Sequence, residues 1–120
     1  MKKLILCFVL ATWPALCAPP PGVSLNGPIA QWVQHWTDTH GMGCCGIESD
    51  CRPTAIKPGD SPSGYVAWIG KDQFGPTAPN DWEPIPTTAF SETSRDNPSG
   101  TNWACWWVGR VLCASFGLGG

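Results

Sequence analysis

Three cysteines, Cys44, Cys45 and Cys51, crowd one short segment, and two more, Cys105 and Cys113, stand far downstream. Sulfur in that pattern can do three kinds of chemistry. Oxidised, two of the cluster's thiols would staple their loop to Cys105 and Cys113, leaving the third free or paired outside the domain. As thiolates they would join His35 and His40 in holding zinc or copper, with His40, Cys44, Cys45 and Cys51 as the closest approach to a ligand set. As a nucleophile, Cys51 would have Arg52 beside it to favour the thiolate.

The last two readings each lack a part. His35 and His40 lie about 140° apart around a helix, so they do not share a face as ligands one turn apart would. There is no C-x-x-C pair, no orienting third residue for a triad, no G-x-S-x-G elbow and no glycine-rich phosphate loop. The cysteines are therefore read as disulfide formers, and no metal, cofactor or catalytic residue is assigned.

Disulfides need an oxidising compartment, and the start of the chain provides a route to one. Lys2 and Lys3 precede the apolar run Leu4 to Trp13, which leads through Pro14 to Ala15-Leu16-Cys17-Ala18. That is the layout of a secretory signal peptide over residues 1–17, with cleavage after Cys17 placing small side chains where they are wanted. The run is about half the roughly 20 residues that cross a bilayer, so no transmembrane anchor is expected. A lipidated Cys17 would have Leu16 before it, where a small residue is normal. The expected location is periplasmic or secreted.

Without residues 1–17 the chain keeps five basic residues (Arg52, Lys57, Lys71, Arg95, Arg110) against nine acidic ones, a net charge near −4. The bases are scattered, which argues against nucleic acid as a partner. Residues 18–27, opening Ala18-Pro19-Pro20-Pro21-Gly22, read as a proline-rich spacer, and 28–120 as a single small globular domain.

The elements that would position the cysteines follow from periodicity. Ile29, Trp32, Val33 and Trp36 form one apolar helical stripe, with Asn26 and Gly27 as cap and Pro28 in the first turn, predicting a helix over 28–39. Residues 41–64 are rich in cysteine, proline and glycine and read as a loop held by covalent bonds. Ser61-Pro62-Ser63-Gly64 and Asn97-Pro98-Ser99-Gly100 carry type I turn chemistry. Strands are expected over 65–69 and, at an edge because of Pro84 and Pro86, over 82–85.

A final hairpin pairs 103–108 with 111–116 around Gly109-Arg110, a type II′ turn that would send Cys105 and Cys113 to opposite faces, so that each needs a partner among Cys44, Cys45 and Cys51. The fold class expected is α+β: one N-terminal helix on a small antiparallel sheet, disulfide-stapled.

Seven tryptophans outside residues 1–17 are the second distinctive feature. Trp32 and Trp36 belong to the helix stripe and the core. A thin domain would not easily bury both faces of the hairpin, so Trp106, with Trp68 and Trp82, is the expected exposed aromatic shelf for a protein or glycan.

The run Cys44-Cys45 … Cys51-Arg52-Pro53, then Tyr65 and Trp68, Trp82-Glu83-Pro84-Ile85-Pro86, Asp96-Asn97-Pro98-Ser99-Gly100 and Cys105-Trp106 resembles a set of small exported bacterial proteins rich in cysteine and tryptophan. The resemblance spans roughly residues 29 to 116. It implies an envelope or secreted setting and carries no activity or site residue. The function expected is an exported, disulfide-stabilised binding or structural module that meets a protein or glycan of the cell envelope. The alternative is a metal-binding or thiol-redox protein using Cys44, Cys45 and Cys51.

Overall fold

A proline that needs no N–H donor starts the first helix. In the computed structural model, which describes residues 27–46 and 49–117, Gly27 is the extended N-cap and α1 runs Pro28–His35. The expected signal peptide and nearly all of the spacer lie outside the described residues. Ala30, Trp32 and Val33 form the buried side of α1.

The helix stops four residues earlier than its apolar stripe suggests. Trp36 turns to extended backbone, which lets its indole become fully buried, and Thr37 then bridges to Gly43. The stripe is real, but its last member reaches the core by leaving the helix.

Two three-stranded antiparallel sheets follow, in the orders β1-β5-β6 and β2-β3-β4. Their strands are β1 (Ser49–Pro53), β2 (Ile56–Pro58), β3 (Tyr65–Ile69), β4 (Asp81–Pro84), β5 (Trp103–Trp107) and β6 (Arg110–Ser115). A one-turn helix, α2 (Lys71–Phe74), and two 3₁₀ turns, Thr87–Ala89 and Thr93–Asp96, complete the described chain. The α+β class holds.

The segment 41–64, expected as a loop without a ladder, contributes β1 and β2. Both lie at sheet edges, where Pro53 and Pro58 leave no ladder position empty inside a sheet. Pro84 ends β4 on the opposite edge of the second sheet, as its composition requires. Gly64, with φ +86°, donates its N–H to the Ser61 carbonyl and closes the turn into β3. In the similar 97–100 segment the Asn97 side chain takes the Ser99 N–H.

The C-terminal hairpin differs from expectation in its turn. Trp107 pairs with Arg110, so the two loop residues are Val108 and Gly109, at φ +41° and +83°. Both lie in the left-handed region, the pattern of a type I′ turn, whose backbone twist matches the strands it joins. That gain outweighs placing a β-branched valine where such residues rarely sit.

A bulge follows. Trp106 pairs with Val111 but Cys105 pairs with Cys113, leaving Leu112 as the extra residue. The turn and the bulge together bring Cys105 and Cys113 directly opposite each other on one face, where a regular hairpin around Gly109-Arg110 puts them on opposite faces.

Both faces of this sheet are buried, against the expectation that a thin domain would leave one open. One face meets α1 in a core of Trp32, Val33, Trp36, Trp103, Leu112 and the cysteines 44, 51, 105 and 113. The other meets the second sheet, where Ala67 and Ile69 of β3 pack with Ile85, Ala104, Val111 and Ala114. Small residues on the hairpin's inner side allow that approach.

Candidate functional site

The sulfurs form a row. Cys51 stands opposite Cys105, which stands opposite Cys113, so three adjacent strands offer sulfur on one face. Cys51 is bonded to Cys105, and Cys44 to Cys113, with Cα atoms 3.9 and 5.9 Å apart. Cys45 is disulfide-bonded as well. The partner set expected for Cys105 and Cys113 is therefore the one used, and only the placement on opposite faces fails.

Cys44, Cys105 and Cys113 bring their sulfurs within 4.8 Å of one another, the one such cluster of potential metal ligands among the described residues. All three belong to disulfides, and all are 0 % exposed. A metal ligand or an attacking nucleophile must be a thiolate. In this oxidised state Cys44, Cys45 and Cys51 supply none, and His40 lies exposed at the surface.

What this arrangement does chemically is brace the core. The sulfurs lie beneath Trp32 and Trp36, whose rings stack at 4.4 Å, and Trp103 meets Trp32 edge-on at 5.7 Å. Each indole N–H finds an acceptor in the irregular 93–99 segment. Trp32 Nε1 donates to the Thr93 carbonyl (2.8 Å), Trp36 Nε1 to Ser94 Oγ (2.9 Å) and Trp103 Nε1 to Ser99 Oγ (2.9 Å). Asn97, 2 % exposed, continues the network by donating to Ser115 Oγ and the Thr101 carbonyl. Every buried polar side-chain atom among the described residues is satisfied.

The three tryptophans expected to form a shelf divide. Trp68 and Trp82 are register partners on β3 and β4, with ring centroids 5.4 Å apart in a T-shaped pair. They share a sheet face with Lys57, Val66 and Pro84, opposite to the face carrying Ala67 and Ile69 into the core. Lys57 Nζ lies 4.0 Å from the Trp82 ring centroid, a cation–π contact. Gly70 leaves room for the Trp68 indole, since a Cβ there would overlap Nε1. Trp106 is elsewhere: it points from β5 into the space between the sheets and packs on the second core.

On the other side of β4, Glu83 is held above the ordinary carboxylate range by partial burial, with the Asp81 carboxylate two residues away adding to the effect. A raised folded pKa means that the native state binds this proton more tightly than the unfolded chain does. The stabilising contribution is then complete below the unfolded pKa and is lost as pH rises through the folded one. Glu83→Gln is expected to melt above the unmodified protein at pH 7, and the gap is expected to close by about pH 3, where the carboxyl is protonated in both states. Thermal denaturation followed by circular dichroism at the two pH values checks this.

No family model, no curated protein and no solved structure matches this chain. The class defined by fold and site is an α+β domain of two antiparallel sheets whose C-terminal hairpin is cross-linked by disulfides. Among the described residues no helix is long and apolar enough to cross a membrane.

Proposed function

We propose that the protein is an exported binding module of the bacterial envelope or exterior, and that it holds a glycan against the outer face of β2-β3-β4. The observation that carries this reading is the Trp68–Trp82 pair with Lys57 beside it. Both indoles are only partly buried, and the opposite face of β3, the strand of Trp68, carries Ala67 and Ile69 into the core.

Size selects the class of ligand. A stable protein partner covers about 800 Å² on each side. An indole presents at most roughly 150 to 250 Å², part of which is already covered here, so two rings and a lysine stem match a few sugar units better than a protein surface. The C–H faces of sugars suit flat aromatic surfaces, and the Lys57 ammonium favours a ligand bearing acidic groups. The disulfides support the exported setting, because they persist in oxidising compartments.

Titration with soluble N-acetylglucosamine oligosaccharides, with and without a carboxylated sugar, tests the reading by NMR. The indole N–H signals of Trp68 and Trp82 are expected to shift while that of Trp36 stays fixed. Trp82→Ala is expected to weaken binding about three- to tenfold, the worth of one stacked ring. Unmoved signals at millimolar sugar, or equal binding by the variant, would overturn it.

A further inference from the structure

A cavity near the end of β4 is lined by neither Trp68 nor Trp82, although Pro84 in its lining shares their sheet face. It measures about 520 Å³, within the range of pockets that bind small molecules, about 300 to 1,000 Å³. Three prolines from two segments, Pro62 and the pair Pro84 and Pro86, line it together with Val111 and Leu112 of β6. Proline has no N–H to offer, so these surfaces are rigid and largely without donors. Polar recognition falls to the charged side chains, Asp38 and Arg110, with His40 alongside.

Asp38 is 7 % exposed. Its Oδ1 accepts the backbone N–H groups of His40 and Met42, each at 2.9 Å. Its Oδ2 makes no hydrogen bond among the described residues. Because no fully buried side-chain oxygen there lacks a partner, Oδ2 keeps an opening to the exterior, and Asp38 lines the cavity. The backbone around it is fixed: Asp38 N–H donates to the Met42 carbonyl, Gly41 N–H to the Asp38 carbonyl, and Thr39 N–H to the Thr88 carbonyl. One carboxylate oxygen is thus held in place with an acceptor site unfilled.

Arg110 supplies the opposite charge. It follows the Val108-Gly109 turn, its guanidinium rests 5.0 Å from the Trp107 ring centroid, and it makes no ion pair among the described residues. A guanidinium on an aromatic face keeps its in-plane donors available for a carboxylate.

We propose that this cavity binds a short peptide with a free amino end and a free carboxyl end. The ammonium donates to Asp38 Oδ2, the carboxylate accepts from Arg110, and apolar side chains lie against the prolines. Two opposite charges separated by apolar walls are complementary to a zwitterion, whereas a ligand of one sign would leave one charge facing its like. This site is independent of the glycan reading.

The unblocked dipeptide Leu-Ala, its N-acetyl derivative and its C-terminal amide form the test set, titrated into the whole protein by NMR. Leu-Ala is expected to shift the amide signals of His40, Met42, Thr88 and Val111 and to leave the Trp68 and Trp82 indoles unmoved. Blocking either end is expected to weaken binding about tenfold or more, as for the loss of one charge-assisted hydrogen bond.

Asp38→Asn keeps an acceptor for the two backbone N–H groups while removing the charge, so acetylation should no longer matter to it. Arg110→Gln should likewise become indifferent to the amide. Absence of shifts at millimolar dipeptide, or equal binding of blocked and free forms by the unmodified protein, overturns the proposal without reliance on either variant.

Discussion

Replacing Cys44, Cys51, Cys105 and Cys113 together with alanine is expected to leave the chain unfolded at 37 °C, while either pair removed alone leaves a folded, weakened domain. The difference follows from how the two cross-links nest. Cys51–Cys105 spans 54 residues of sequence, and a loop of that length constrains the unfolded chain by about 4 kcal/mol. Cys44–Cys113 spans 69, but lies outside the first cross-link. With Cys51–Cys105 in place it closes only the two short flanks, a loop of roughly 15 residues that contributes about 3 kcal/mol.

Together they supply roughly 7 kcal/mol, comparable with the whole stability of many small domains, about 5 to 15 kcal/mol. Urea titrations of the two paired variants and of the fourfold variant, followed by tryptophan fluorescence, measure this. Each paired variant is expected to lose about 3 kcal/mol, since the remaining cross-link still contributes about 4, and the fourfold variant to show no cooperative transition. A fourfold variant that melts cooperatively would mean that the tryptophan core alone holds the fold.

That Cys105 and Cys113 take partners from the 44–51 cluster was legible in the sequence, though by an elimination that assumed opposite faces, which the structure overturns. The shared face was not. It depends on whether the two-residue turn begins at Val108 or Gly109, and on one extra residue at Leu112, and both are small energetic choices made by the sheet as a whole. A period-2 reading turns one slipped residue into a reversal of every side chain.

The same limit applies to the tryptophans. The aromatic, β-branched run of 65–69 and the prolines after Trp82 predict two strands with one at an edge, yet nothing local says that Trp68 and Trp82 become register partners. Trp106 packs against the second core because a second sheet covers the hairpin, and that sheet draws β2 from a segment whose prolines hide it. The cavity at Asp38 joins residues from four stretches of chain, and no spacing rule connects them.

Trp36→Ala is expected to destabilise the protein by about 3 to 5 kcal/mol, the usual range for emptying the site of a buried aromatic ring. The helix it follows has eight residues, too few to persist in water without tertiary anchoring. Its anchors are the stacked indoles of Trp32 and Trp36 over the sulfur row. Trp36 Nε1 also donates to Ser94 Oγ, whose own proton goes to the Ala89 carbonyl, so the indole joins α1 to both 3₁₀ turns.

Trp36→Phe separates the two contributions. It keeps most of the apolar ring and removes the donor, and because Ser94 Oγ still has a partner, no buried donor is stranded; the loss should be about 1 to 2 kcal/mol. For a domain of this size the alanine variant should melt roughly 15 to 30 °C below the unmodified protein. If the two substitutions cost the same, the hydrogen bond to Ser94 rather than ring burial fixes the helix, and the stacked indoles are its passengers.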